Sequence, residues 1–388
     1  MAERQRLSVV VLTKNEEPRI ARCLSSVRWA DELIVVDGMS EDRTVEICRQ
    51  FGARVIPHAF EGSFAQERNL GMERATGEWV LQIDADDVVT PAFREAVQRL
   101  LERPQPHAVF KFRRKSYLLG RFMRHGGWYH ELPNLVRRDA VRYEGVVHER
   151  PVARGTIGRL DADIEHHPCN SLAAFLDRHN RYTSLHAQEL VASLGRLDER
   201  EIRSRLIRRP WKTWWKSYVK KQGFREGLHG LVFSIFFAGV ELIKWAKYWE
   251  YSRPADSGNP GQAADAFPAS LTAIKVHYAP DVHGPIEHIE ADVEHYPFQS
   301  LTQFIERQNR STSMGAQELA EQRDRPRTRE LVYHLVWRPV KLFWKSYIRN
   351  RGYQEGLHGL VFSLLWAFVH VMLWAKYWEQ RRGGHDAC

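Results

Sequence analysis

Gly77-Glu78-Trp79-Val80-Leu81-Gln82-Ile83-Asp84-Ala85-Asp86-Asp87 is a short apolar run that ends abruptly in three carboxylates. Its length and its β-branched content read as a buried strand, from Trp79 to Ile83. Two carboxylates at i and i+2 just past such a strand can share a divalent cation and a ribose. Hard oxygen ligands suit Mg²⁺ or Mn²⁺. Taken alone, Asp84-Ala85-Asp86 is more often a plain acidic turn, so its neighbours decide how it is read.

Upstream of this run, strand and helix signals alternate. Leu7 to Leu12, Leu33 to Val36 and Arg54 to Ile56 read as three further strands. Arg19 to Val27 carries Ile20, Leu24 and Val27 at helical spacing, with Pro18 at the helix start. Thr44 to Phe51 and Ser63 to Ala75 complete the helices. Such alternation predicts a mostly parallel α/β sheet with helices on both faces. Ligands of such sheets bind at the carboxyl ends of the strands. Thr13 to Glu16, Asp37 and the acidic cluster all fall there. Asp37 is placed to take hydrogen bonds from a base or ribose, or to act near a helix N-cap. Arg68, on the helix before the acidic strand, either meets a diphosphate or is a surface charge.

The chain has 388 residues, enough for two or three domains, and a formal net charge of +9. That charge points to an anionic partner: nucleic acid, an anionic membrane or a phosphorylated substrate. Cys23, Cys48, Cys169 and Cys388 show neither C-x-x-C nor zinc-ligand spacing, so reduced thiols are expected. Met1 to Arg6 is charged and has no leader pattern, which places the catalytic part in the cytoplasm as an expectation.

Downstream lies a long internal repeat. Glu226 to Ser234 recurs unchanged as Glu355 to Ser363, an offset of 129 residues. Residues 211–250 match 340–379 at 23 of 40 ungapped positions. Asp163-Ile164-Glu165-His166 faces Asp292-Val293-Glu294-His295 more weakly. This period is too long for a solenoid unit, so a duplicated, mainly helical module is expected. The expected organisation is a catalytic domain over 1–150, a first module over 151–251, a linker over 252–270 and a second module over 271–388.

Arg203 to Arg225 holds nine basic residues and no acidic one, interleaved with Trp211, Trp214, Trp215 and Tyr218. The second copy repeats this with Arg338, Lys341, Lys345, Arg349 and Arg351. Each stretch precedes an apolar run. Cations and aromatics beside an apolar helix fit an interfacial anchor on an anionic leaflet, through 203–249 and 338–378. Nucleic acid is disfavoured, because the apolar helices then have no role. A buried helical hairpin is the competing account of those runs.

Several motifs together resemble family 2 glycosyltransferases. They are Ser8 to Glu16, Asp31 to Thr44, Gln66 to Asn69, Gly77 to Asp87, Gly127-Trp128-Tyr129 and Val147-His148-Glu149. The nearest subgroup by pattern is the lipopolysaccharide core β-glucosyltransferases. The resemblance implies a GT-A (Rossmann-like) fold, an NDP-sugar donor, most simply a UDP-sugar, a divalent metal (Mn or Mg) and inversion at the anomeric carbon. It also implies that Thr13, Asn15, Glu16 and Asp37 hold the nucleoside, with Arg68 near it or the diphosphate. Asp84 would reach the ribose, and Asp86 and His148 the metal.

Inversion needs a general base on the acceptor side. Glu131, after Trp128-Tyr129-His130, is the candidate where the subgroup commonly has Asp after Trp-Tyr-Pro, and Glu149 is the reserve. The expected acceptor is a lipid-linked saccharide at the inner face of the cytoplasmic membrane. A polyprenyl phosphate, a protein acceptor, or a non-catalytic binding protein on the same scaffold are the alternatives. The second module lacks its own acidic cluster, so one active site is expected. The extra copy would double membrane contact or imitate within one chain an oligomer that relatives form.

Overall fold

The computed structural model describes residues 4–145, 150–253 and 298–382. The chain divides into two compact units. The first comprises residues 1–171 and 215–234, and the second residues 172–214 and 235–388.

The first unit is built on β1 (Leu7–Thr13), α1 (Glu17–Val27), β2 (Glu32–Asp37), α2 (Thr44–Gln50), β3 (Arg54–Pro57), α3 (Phe64–Arg74) and β4 (Trp79–Asp84). Each element falls within two residues of its sequence-based bounds. β2, β1 and β4 are parallel neighbours, with β3 parallel to β2 at one edge. β1 is buried almost throughout. Leu7, Val9 and Val11 face Ile20 and Leu24 of α1, whereas Val10 faces Ala65 and Met72 of α3. Both sheet faces are therefore covered, which is why these strands are apolar throughout rather than alternating.

The sheet does not stop at β4. It continues through β5 (Asp87–Val89), α4 (Pro91–Leu101), β6 (His107–Leu118), β7 (Arg121–Phe122), β8 (His130–Arg137), β9 (Val141–Glu144), β10 (Arg150–Ala153) and β11 (Thr156–His166). α4 starts sharply because the Thr90 hydroxyl accepts from the Phe93 amide and Pro91 occupies the first turn. The main strand order is β3-β2-β1-β4-β8-β6-β11-β5. β8 runs antiparallel to both β4 and β6, and β11 is parallel to β6. The sheet thus passes the boundary expected at residue 150 and runs to His166. Alternation of strand and helix predicts only its parallel half.

The second unit is helical. Its elements are α5 (Leu172–Leu194), α6 (Glu199–Trp214), the later part of α7 (Leu228–Tyr251), α8 (Leu301–Gln322), α9 (Thr328–Val332), α10 (Arg338–Trp344) and α11 (Gly356–Arg382). Of the expected linker, 254–270 lies outside the described residues, as do the start of the second copy, 271–297, and Cys388. Two stretches, Leu228–Tyr251 and Gly352–Arg382, are long and apolar enough to cross a membrane. Most of their apolar residues are nonetheless buried within the protein, among them Phe236, Trp245, Tyr248, Leu365, Trp374 and Tyr377. These runs serve as core.

The repeated Glu-Gly-Leu-His-Gly motif has a steric reason. A Cβ on Gly230 would lie 1.8 Å from the Gly223 carbonyl oxygen, and a Cβ on Gly359 1.8 Å from that of Gly352. A short 3-10 turn, Gly223–Glu226 or Gly352–Glu355, folds back onto the helix start at each site. Because backbone rather than a flexible side chain is in the way, Gly230→Ala and Gly359→Ala should each cost about 1–3 kcal/mol or more. Urea denaturation of both variants checks this, and unchanged midpoints would refute the close approach.

Candidate active site

The acidic cluster sits where β4 turns into β5. Asp84 closes β4 and its amide donates to the Asp87 carboxylate at 3.0 Å. β5 pairs antiparallel with the end of β11, setting His166 opposite Asp87. The His167 amide donates to the Asp86 carbonyl at 2.8 Å. This pairing brings His166 Nδ1 to 3.2 Å from Asp86 Oδ1 and 3.1 Å from Asp87 Oδ1. One ligand atom from each of Asp86, Asp87 and His166 lies within 4.8 Å of the other two.

Three carboxylates this close repel unless cations neutralise them. Arg68, buried on α3, donates from Nη2 to Asp84 Oδ1 at 2.9 Å. Arg114, on β6, donates to Asp84 Oδ2 at 3.0 Å and to Asp87 Oδ1 at 2.7 Å, and lies 3.6 Å from Asp86 Oδ1. Burial alone would raise the Asp84 pKa, but Arg68 and Arg114 outweigh it and hold the carboxyl below its usual range. Burial and Arg114 oppose a charge on His166. Asp86 and Asp87 prevail, and the imidazole lies above its ordinary value. The cluster is thus a fixed array of negative charge held by fixed positive charge.

The neighbouring strand ends supply a second surface. Thr13 and Asp37 are register partners at the carboxyl edge of β1 and β2, beside Leu12 and Asp84. Asp37 is buried and accepts from the Ser40 amide at 2.9 Å and the Ser40 hydroxyl at 2.5 Å. Asn15 takes a positive φ of 52°. Its amide donates to the Ser40 hydroxyl and its side chain accepts from the Glu41 amide, each at 2.8 Å. Glu16 pairs with Arg19 at 2.7 Å. Asn15 and Ser40 therefore shape the loop after β2, and Glu16 is tied to its own helix.

Of the other expected residues, Glu131 lies on β8, one place along from the strand partner of Arg114. Glu131 pairs with Arg159 at 3.0 Å, and its register partner on β6 is Arg113. His130 is the residue that pairs with Arg114. Its surroundings and the charge of Arg114 hold the His130 imidazole below its ordinary pKa. His148 and Glu149 lie outside the described residues. Trp128 presents an edge contact to His166, with centroids 6.5 Å apart, and packs on Phe233. The Trp128 loop is pinned by the Gly126 amide, which donates to the Lys221 carbonyl at 2.8 Å. Buried Glu226 also holds it, accepting from the His125 amide at 2.9 Å.

An acidic turn at the carboxyl edge of a doubly covered sheet, with a buried aspartate two strands away, lies where the ligands of such sheets bind. Residues 8–157 match the sequence profile described as Glycosyl transferase family 2. The chain carries a family 2 glycosyltransferase domain. An uncharacterized glycosyltransferase of Rickettsia typhi is 26% identical over 264 residues, covering 64% of this chain and 88% of the relative. The lipopolysaccharide core biosynthesis glycosyltransferase LpsC of Rhizobium meliloti is 25% identical over 262 residues, covering 63% and 92%.

Among solved structures, TarS 1–349 of S. aureus, in complex with UDP-GlcNAc, is 16% identical with a TM-score of 0.33, covering 64% of this chain and 90% of that one. Glucosyl-3-phosphoglycerate synthase of Mycobacterium tuberculosis, in complex with Mn²⁺ and UDP, is 24% identical with a TM-score of 0.26. That match covers 28% of this chain and 44% of the mycobacterial one. The chain is a glycosyltransferase with a mixed parallel and antiparallel sheet covered by helices and a helical C-terminal region.

Sequence reasoning missed Arg114 and His166 as site residues and gave Asp87 no role. Arg114 lies mid-strand among Arg113 and Lys115, with nothing local to single it out. His166 carried a signal in the recurrence of Glu-His at Glu294-His295, but that read only as repeat. Removing the resident cation should expose its effect. Arg114→Gln removes one of the two cations that hold the Asp84 carboxyl below its usual range, so the stability that this pairing supplies above the ordinary carboxylate range should be missing. The deficit against the parent should reach about 3–5 kcal/mol at neutral pH and shrink as pH falls through the depressed Asp84 value. Melting curves across that pH range check it, and a deficit independent of pH would refute the electrostatic account.

Proposed function

We propose that the chain is an inverting, metal-dependent hexosyltransferase. It moves a sugar from an NDP-sugar, most simply a UDP-sugar, to a lipid-linked saccharide such as lipopolysaccharide core, at the cytoplasmic face of a membrane. The observation that carries the catalytic part is the grouping of Asp86, Asp87 and His166 at the strand edge that also bears Asp84, Asp37 and Thr13. Carboxylate oxygens with one imidazole suit Mn²⁺ or Mg²⁺. Asp86 and His166, with Asp87, would hold the ion. When bound, it supplies positive charge to a diphosphate leaving group.

The remaining roles belong to side chains of this chain. Asp37, preset by Ser40, accepts from the nucleobase, and Thr13 lies beside it at the strand edge. Asn15 keeps the loop after β2 in shape for that contact. Asp84 reaches the ribose while Arg68 fixes its rotamer. Glu131, held by Arg159, deprotonates the acceptor hydroxyl as general base. Trp128 excludes water above His166.

The membrane part rests on exposed aromatics among cations. Trp337, Val340 and Trp344 are each about 60% exposed on one side of the α10 segment, and Arg338, Lys341 and Lys345 accompany them. On α6, Ile207 and Trp211 are similarly exposed beside Arg208 and Lys212. Since the long apolar helices are spent on the core, these shorter segments are the ones left to lie on a leaflet. Each cation near an anionic surface contributes about 1 kcal/mol. The likeness to LpsC, a lipopolysaccharide core biosynthesis glycosyltransferase, supports a lipopolysaccharide-type acceptor.

Two measurements test this reading. Mn²⁺ with UDP should raise the melting temperature and support slow hydrolysis of a UDP-sugar, and Asp86→Ala should abolish both. Full activity in Asp86→Ala would remove the metal assignment. Separately, the protein should float with phosphatidylglycerol vesicles. Trp211→Ser combined with Trp344→Ser should lower the bound fraction about tenfold or more while leaving hydrolysis intact. Undiminished flotation would remove the interfacial assignment.

A further inference from the structure

Within the helical unit two sets of hydrogen bonds between the repeat copies come in reciprocal pairs. Glu250, at the end of α7, accepts from the Leu301 amide at the start of α8 at 2.8 Å. Its counterpart 129 residues on, Glu379 at the end of α11, accepts from the Leu172 amide at the start of α5 at 3.0 Å. Leu172 and Leu301 are themselves counterparts. Likewise Asn180 Nδ2 donates to the Thr302 carbonyl at 3.1 Å, and Asn309 Nδ2 donates to the Ala173 carbonyl at 3.0 Å.

Each copy also repeats the other's internal anchor. Buried Lys247 donates to the Asn180 carbonyl and side-chain oxygen, both at 2.6 Å, and to the Ser184 hydroxyl at 2.8 Å. Buried Lys376 does the same to Asn309, at 2.6 and 2.5 Å, and to Ser313 at 2.9 Å. The asparagine thus has one role inside its own copy and one across to the other.

Reciprocity distinguishes two ways of packing a repeat. Head-to-tail stacking uses two different surfaces and leaves the last copy's outgoing surface unfilled. A two-fold arrangement uses one surface twice, so that if i meets j′ then j meets i′. Glu379 returning to Leu172 is the second pattern. On a two-fold axis a residue must meet its own counterpart, and Gly239 and Phe368 do so. They are 129 apart, and a Cβ built on Gly239 would lie 2.2 Å from Phe368 Cζ. The pair has diverged into a hole and a knob. Two first copies would face each other across a void, and two second copies would drive Phe368 against Phe368.

We propose that the second repeat copy is a resident partner subunit. It fills the self-complementary α5/α7 face of the first copy, closing a two-fold module dimer inside one chain, so the protein is a monomer with one catalytic domain per module pair.

The intact chain tests this by mass and by exchange of the axis pair. Sedimentation at micromolar concentration should give a single species near 45.3 kDa. A stable two-chain assembly would overturn the proposal. Gly239→Phe should lower the urea midpoint by forcing two large rings together, and Phe368→Gly should lower it by opening a cavity. The exchanged variant, Gly239→Phe with Phe368→Gly, should recover most of the loss. If the double variant is as unstable as the two single losses added together, or if either single change is silent, these residues do not meet on an axis and the arrangement is wrong.

Discussion

Three carboxylates packed at one strand end are the constraint around which the catalytic unit is organised. Asp84, Asp86 and Asp87 lie within a four-residue turn. In water such a cluster is tolerable, but at the edge of a covered sheet it needs fixed countercharge. Among the described residues, the first four strands and their helices supply Arg68. The antiparallel half of the sheet supplies the rest. β6 brings Arg114, and β11, clamped to the turn through β5, brings His166. The extension beyond the parallel strands is therefore part of the site rather than an appendage to it. On the proposed function, a diphosphate and its cation would enter a place where charge has already been arranged, which would lower the reorganisation that catalysis requires.

The parallel half of the fold is legible in the sequence because its signals are local. Val9, Val10 and Val11 in one run, Pro18 at a helix start and Ile20 four residues before Leu24 are each decided by neighbours in the chain. Thr13, Asp37 and Asp84 are singled out by the rule that open parallel sheets bind ligands at the carboxyl ends of their strands. The other half is not legible because antiparallel pairing is a long-range fact. Nothing near Arg114 says that β8 will lie on one side of it and β11 on the other. The pairing of His130, rather than Glu131, with Arg114 has the same origin. One residue of strand register decides which side chain shares a face with Arg114.

The basic-aromatic segments show the converse. Their composition is plain, but composition alone does not say which apolar residues are spent on packing. Helices α7 and α11 pass every length and hydropathy test for a membrane segment, yet Trp245, Trp374 and the two buried lysines are core. Shorter stretches with fewer apolar residues, around Trp211 and Trp344, are the ones that present rings to solvent.

On the proposed two-fold arrangement, the pairing of Gly239 with Phe368 has a historical consequence. A duplicated surface begins with identical residues on its axis, and either copy can then associate with any other. Once one side has lost its side chain and the other has filled the gap, each copy is useful only with its complement. No single substitution restores the earlier freedom, since reverting either side alone produces a clash or a hole. A knob and a hole at such an axis would bind the two copies to one another, because a first copy alone would meet its like only across a void.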